Sequence, residues 1–134
     1  MSSERPALSS HALSWRARIR SFSFAFAGLA FMLRTQPNAW VHLVATVLVI
    51  CAGLLLPVSL SDWRWLIAAI ASVWMAEAIN TAIEHVCDVV SPQFNLSVKR
   101  AKDIAAGAVL VGAIGAATIG ATVFLPYFGA SISR

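Results

Sequence analysis

Glu77, Asn80, Glu84 and Asp88 follow one another at spacings of three, four and four residues in Glu77-Ala-Ile-Asn80-Thr-Ala-Ile-Glu84-His-Val-Cys-Asp88. At helical period these four side chains leave the backbone within an arc of roughly 80°, so a helix here carries three acids and one amide on a single face. An ionisable group in lipid costs roughly 2.5–3.5 kcal/mol even on the mildest scales, and a membrane helix that keeps three of them uses them. Carboxylates in such a row can hold a divalent cation and take a proton from a hydroxyl. Cationic side chains that could sit over phosphates lie close by in sequence, at Lys99, Arg100 and Lys102. Together these are the components that phosphoryl transfer asks for.

Roles can be assigned within the stripe. Glu77 is flanked by Trp74, Met75, Ala76, Ala78 and Ile79 and is the deepest acid, which makes it the candidate general base. Glu84 lies two turns nearer the stripe's aqueous end, where Mg²⁺ or Mn²⁺ and the phosphates of ATP are available, and is the candidate metal ligand. Asn80, between them, can orient either carboxylate without adding charge. Lys102 and Asp103, beside the start of the last apolar segment, suit a phosphate contact and a helix-capping or metal-supporting carboxylate. Asp88 closes the stripe, and simple solvation at a helix end accounts for it equally well. No Gly-x-x-x-x-Gly-Lys-Ser/Thr loop occurs, nor a kinase Gly-rich loop with its Lys and Asp, so nucleotide chemistry here needs another scaffold.

The elements that must position these residues are apolar helices. With 59% hydrophobic and 12% charged residues among 134, the chain has too little charge to solvate a soluble domain of its size. It reads as one small all-α membrane domain over residues 1–134, with three segments able to cross a ~30 Å hydrocarbon core, about 39–58, 65–90 and 104–125. Basic residues set the orientation: Arg5, Arg16, Arg18, Arg20, Arg34, Lys99, Arg100 and Lys102 fall on one side and Arg64 and Arg134 on the other. The N-terminus and the acidic end of the second span therefore share the cytoplasmic face of the membrane. Pro57 to Trp65 becomes a short external turn, with Trp63 and Trp65 in an interfacial belt.

Residues 14–34 are read as an interfacial helix. Arg16, Arg18 and Arg20 precede a face made by Phe22, Phe26, Leu29 and Leu33, although Phe24 and Phe31 lie opposite; a cleaved signal is the alternative. Residues 1–13 read as a flexible tail. Ala108, Gly112, Ala116 and Gly120 repeat every four residues in the third span, a face on which another helix can approach closely. Three spans enclose little interior, so shielding the acids from lipid calls for an oligomer. Cys51 and Cys87 are packing residues with no disulfide or zinc pattern, and His42 and His85 taken singly are hydrogen-bonded interfacial histidines. A net charge of +4 is distributed around apolar segments, which suits anionic headgroups and excludes a nucleic-acid stripe.

The motif Glu77-Ala-Ile-Asn80-Thr-Ala-Ile-Glu84 with Asp88, followed by Arg100-Ala-Lys102-Asp103-Ile-Ala-Ala-Gly-Ala-Val, resembles the small prokaryotic diacylglycerol kinase and undecaprenol kinase family. Ser21-Phe-x-x-Ala25-x-x-Gly28 and Asn38-x-x-x-His42 resemble the undecaprenol kinase branch, and the likeness runs from about Arg16 to Leu125. It implies a homotrimer with three spans and an interfacial helix per subunit, which transfers the γ-phosphate of ATP to the hydroxyl of a membrane lipid alcohol. By position it implies Glu77 as base and Glu84 as metal carboxylate, with Asn80, Asp88, Lys102 and Asp103 around the nucleotide. It also implies Arg16, Arg20, Gly28, Asn38 and His42 as substrate or interface residues. One departure stands out: the family's second metal-binding glutamate is replaced in Gln36-Pro37-Asn38, where an amide oxygen can coordinate without the charge that draws the cation. Pro92-Gln93-Phe94-Asn95 likewise replaces a more usual acidic, aromatic and histidine sequence. Two other readings stay open, a catalytically weak subunit of the same fold and a proton or cation pathway, since aligned acids also serve transporters.

Overall fold

A computed structural model describes residues 15–132, and the side chain of Arg16 and those from residue 128 onward are outside the description. The tail expected over residues 1–13, and Arg5 and Arg134 in the charge count, also lie outside the described residues. The fold is all-helical: α1 (Trp15–Thr35), α2 (Pro37–Leu55), α3 (Leu60–Val90) and α4 (Leu96–Ile132). Three of these are long and apolar enough to cross a membrane, α2, α3 and Leu96–Tyr127 of α4. At 1.5 Å per residue the 31 residues of α3 reach about 46 Å, so it extends well past the hydrocarbon core.

The helix starts differ from the sequence expectation because side chains cap earlier than hydropathy suggests. The Ser59 hydroxyl oxygen accepts from the Asp62 backbone N–H at 3.1 Å, so α3 begins at Leu60, and Trp63 and Trp65 ride on the helix instead of in a turn. Asn95 Oδ1 accepts from the N–H groups of Ser97 (2.8 Å) and Val98 (3.3 Å), starting α4 eight residues before 104. Lys99, Arg100, Lys102 and Asp103 therefore occupy the first turns of α4. Asp103 does not cap it; Asn95 already does, and Asp103 pairs one turn back with Lys99 at 2.6 Å. Pro37 opens α2, where its missing N–H costs nothing, and Gln36 alone separates α1 from α2.

α3 is the axis against which the other helices pack, α4 most extensively. Its buried face runs Leu66, Ala69, Val73, Glu77, Asn80, at spacings of three, four, four and three, so the acidic stripe is the continuation of the packing stripe. Gly112 brings α4 close: a Cβ there would stand 3.9 Å from the Ala76 Cβ. At the far end Tyr127 donates its hydroxyl to the Pro57 carbonyl at 3.1 Å, tying α4 to the turn between α2 and α3. Met32, buried on α1, and the Phe31 ring against the His85 ring (centroids 5.0 Å apart) seat α1 on the Thr81–His85 side of α3.

Candidate active site

Where the stripe of α3 turns polar, α2 and α4 stand apart and leave a cavity of about 240 Å³. Its polar lining is Glu77, Asn80 and Glu84 from α3 with Asn38 and His42 from α2; Ala106, Val109, Leu110 and Ala113 of α4 form an apolar wall. Asn38 and His42 reach one cavity because they are four apart on α2. The register of α2 is fixed one turn further on, where Trp74 Nε1–H donates to Thr46 Oγ1 at 3.0 Å and that hydroxyl donates to the His42 carbonyl at 2.7 Å. Neither Thr46 nor Trp74 is visible as a positioning residue in sequence, since an indole beside an acidic stripe reads as ordinary apolar lining.

Glu77 has no exposed surface, and neither of its carboxylate oxygens has a hydrogen-bond partner. Its nearest polar neighbour is His42, whose Nε2 lies 3.7 Å from Oε2, beyond hydrogen-bond distance and itself without a partner. Buried groups of this kind are ordinarily satisfied, so this unpartnered pair beside the cavity stands out. Glu84 is the opposite case. Gln36 Nε2 donates to its Oε2 at 3.1 Å and Asn80 Nδ2 donates to its Oε1 at 3.0 Å, so two amides hold one carboxylate in place. The Asn80 carbonyl oxygen stays buried and unpartnered.

Those donors bear on a metal. Among the described residues no group of three or more His, Cys, Asp and Glu side chains is placed to hold one. As they stand both amides present N–H to Glu84; turned about, one carboxylate and two amide carbonyls would offer only hard oxygen atoms. The set fits a hard divalent cation of the Mg²⁺ kind that keeps water and phosphate oxygens as its remaining ligands.

At the aqueous rim, Lys102 of α4 donates to Asp88 of α3, tying the two helices one turn beyond Glu84. Lys102 is one-third exposed and Asp88 about two-thirds. The structure thus brings Glu77, Asn80, Glu84, Gln36, Asn38 and His42 into one place, with the Asp88–Lys102 pair one helical turn beyond Glu84. Asp103, paired to Lys99, is not part of it, and Arg20 is exposed on α1. Gly28 lines a separate cavity between α1 and α3 with Phe24, Met32, Thr81 and His85, on another side of α3.

The model of the family described as prokaryotic diacylglycerol kinase matches residues 23–124, which contain every residue of this cavity. The chain belongs to that family. Among curated proteins, this diacylglycerol kinase family chain is 36% identical over 107 residues to an undecaprenol kinase of Bacillus subtilis, covering 80% of the chain and 87% of the relative. It is 38% identical over 107 residues to a diacylglycerol kinase of Synechocystis sp., covering 79% of the chain and 61% of that longer relative. Family and relatives alike indicate a lipid kinase embedded in a membrane by three helices.

Proposed function

We propose that the protein transfers the γ-phosphate of ATP to the hydroxyl of a membrane lipid alcohol at the cytoplasmic surface of the inner membrane. The observation that carries this reading is Glu77, fully buried with both oxygens unpartnered, in one cavity with the amide-held carboxylate of Glu84. Glu77 takes the hydroxyl proton as the lipid oxygen bonds to the γ-phosphorus, and ADP leaves with the bridging oxygen. Glu84, Asn80 and Gln36 would hold the metal of a metal–nucleotide, which when bound would supply neutralisation of phosphate charge. Lys102 has three donors and gives one to Asp88, so the others are available to phosphate oxygens at the mouth.

The homotrimer that the family resemblance implies is taken as the active unit, and the outward faces of α2 and α4 are available to neighbouring copies. α1 is assigned to the membrane interface with the N-terminus cytoplasmic, because Lys and Arg are more numerous in the segments before α2 and between α3 and α4 than around Arg64. Undecaprenol is the favoured acceptor over diacylglycerol. The relative covered over 87% of its length carries that name, and Asn38 and His42, on which the resemblance to that branch rests, line the cavity. The deciding experiment offers both lipids with labelled ATP to the full-length protein in vesicles. Label in a lipid monophosphate, abolished in Glu77→Gln with assembly intact, supports the reading; undiminished label in that variant rejects Glu77 as the base.

A further inference from the structure

Both oxygens of the Glu84 carboxylate are engaged, Oε2 by the Gln36 Nε2–H at 3.1 Å and Oε1 by the Asn80 Nδ2–H at 3.0 Å. The two donors differ in origin. Asn80 sits one turn back on the same helix, whereas Gln36 reaches Glu84 from the junction of α1 and α2, 48 residues away in sequence. The Gln36 backbone is pinned on both sides: its N–H donates to the Met32 carbonyl at 2.8 Å, closing α1, and its carbonyl accepts from the Ala39 N–H at 3.2 Å, opening α2. Met32 and Ala39 are both buried, which seats the junction on the bundle. A fixed backbone thus delivers the amide to Glu84, and little freedom is lost in forming the bond. A hydrogen bond to an ionised carboxylate is in addition about twice as strong as a neutral one.

A cation approaching Glu84 therefore meets an oxygen to which Gln36 already donates. To bind there it must displace that N–H, and the neutral carbonyl that Gln36 offers in return adds little over the water a hard cation carries with it. No group of three or more His, Cys, Asp and Glu side chains among the described residues offsets this competition. Phosphate changes the balance. Its oxygens are anionic, so the N–H released from Glu84 finds in one of them an acceptor as strong as the carboxylate it gave up. We infer that Gln36 competes with the cation for Glu84, and so makes the site take its metal as the metal–nucleotide complex in preference to the free ion. This rests on the lipid kinase reading above, which supplies the nucleotide. Gln36→Glu reverses the effect, since an ionised carboxylate there has no N–H to donate and adds a charge that draws in the free cation.

The test needs no turnover. Full-length protein in phosphatidylcholine vesicles is titrated with Mn²⁺ alone, and the electron paramagnetic resonance signal of free Mn²⁺ reads how much has bound. Gln36→Met, which keeps the length of the side chain and removes the N–H, is expected to bind free Mn²⁺ about tenfold more tightly than wild type. Unchanged or weaker binding in that variant overturns the inference, because it would make Gln36 a ligand of the ion and not its competitor. Adding Glu84→Gln to Gln36→Met should abolish the gain; a gain that survives lies elsewhere in the molecule and equally overturns it. The second measurement is equilibrium dialysis of labelled ADP with equimolar Mn²⁺. Gln36→Met is expected to leave this binding unchanged or to weaken it, and a tightening as large as that for free Mn²⁺ overturns the preference for the complex. If Gln36→Met melts below the assay temperature, Gln36→Leu carries the same expectations. Failure of the Mn²⁺ titration while labelled lipid is still formed sinks this inference alone, whereas no labelled lipid from either acceptor sinks the reading beneath it.

Discussion

The two halves of α3 share one face and treat it in opposite ways. From Leu66 through Ala69 to Val73 the face is apolar and buried, bordering an apolar cavity of about 300 Å³, and near it Trp63 lies over Gly53 so closely that a Cβ there would meet the indole at 2.7 Å. From Glu77 to Glu84 the same face carries groups whose burial is costly, and Glu77 is left without a hydrogen bond. Burial along the first half leaves no polar group unsatisfied; along the second it leaves a carboxylate without a partner. A helix can therefore be structural and chemical along one stripe, and an unsatisfied hydrogen bond, more than depth, tells the halves apart.

Substitutions can break or sharpen that contrast. The largest effect is expected at Glu77→Gln, a near-isosteric change in the half that holds the cavity: turnover should fall by about 10²–10⁴-fold, the usual worth of a positioned base, with the melting temperature in detergent unchanged or raised. A large loss of stability there would mean that Glu77 belongs with the packing half. Next is Gly53→Leu in the other half, where displacing Trp63 should cost about 1–3 kcal/mol of stability, read as a lowered melting temperature, with kcat per folded protein retained. Gln36→Glu adds a charge beside Glu84 and should lower the Mg²⁺ concentration for half-maximal rate by about tenfold, at some cost to the apo protein from carboxylate repulsion. Unchanged Mg²⁺ dependence would remove the metal role of Gln36. The smallest effect is expected at Ser59→Ala, which removes the cap of α3 and should cost about 1 kcal/mol without touching the Mg²⁺ dependence.

Much of this was legible in the sequence. Hydropathy locates three spanning helices, and a period of 3.6 puts Glu77, Asn80 and Glu84 on one face, because both signals are local. Helix starts are less legible, since Ser59 and Asn95 cap through single side chains that hydropathy windows average away. The polar first turns of α4 thus look like loop until Asn95 is seen to cap them. Least legible is the meeting of His42 with Glu77. The two are 35 residues apart, and which turn of α2 faces which turn of α3 depends on the Trp74–Thr46 contact. The amide clamp on Glu84 is similarly hidden, because Gln36 reaches it from the junction of two helices 48 residues away.

That junction has a mechanical consequence. The elbow between α1 and α2 is one residue long, and that residue is Gln36, whose side chain grips Glu84. No slack lies between the two helices to absorb a tilt of α1, so a movement that lifts α1 from α3 pulls on the grip itself. Any force exerted on α1 is thus levered onto the carboxylate at the heart of the cavity.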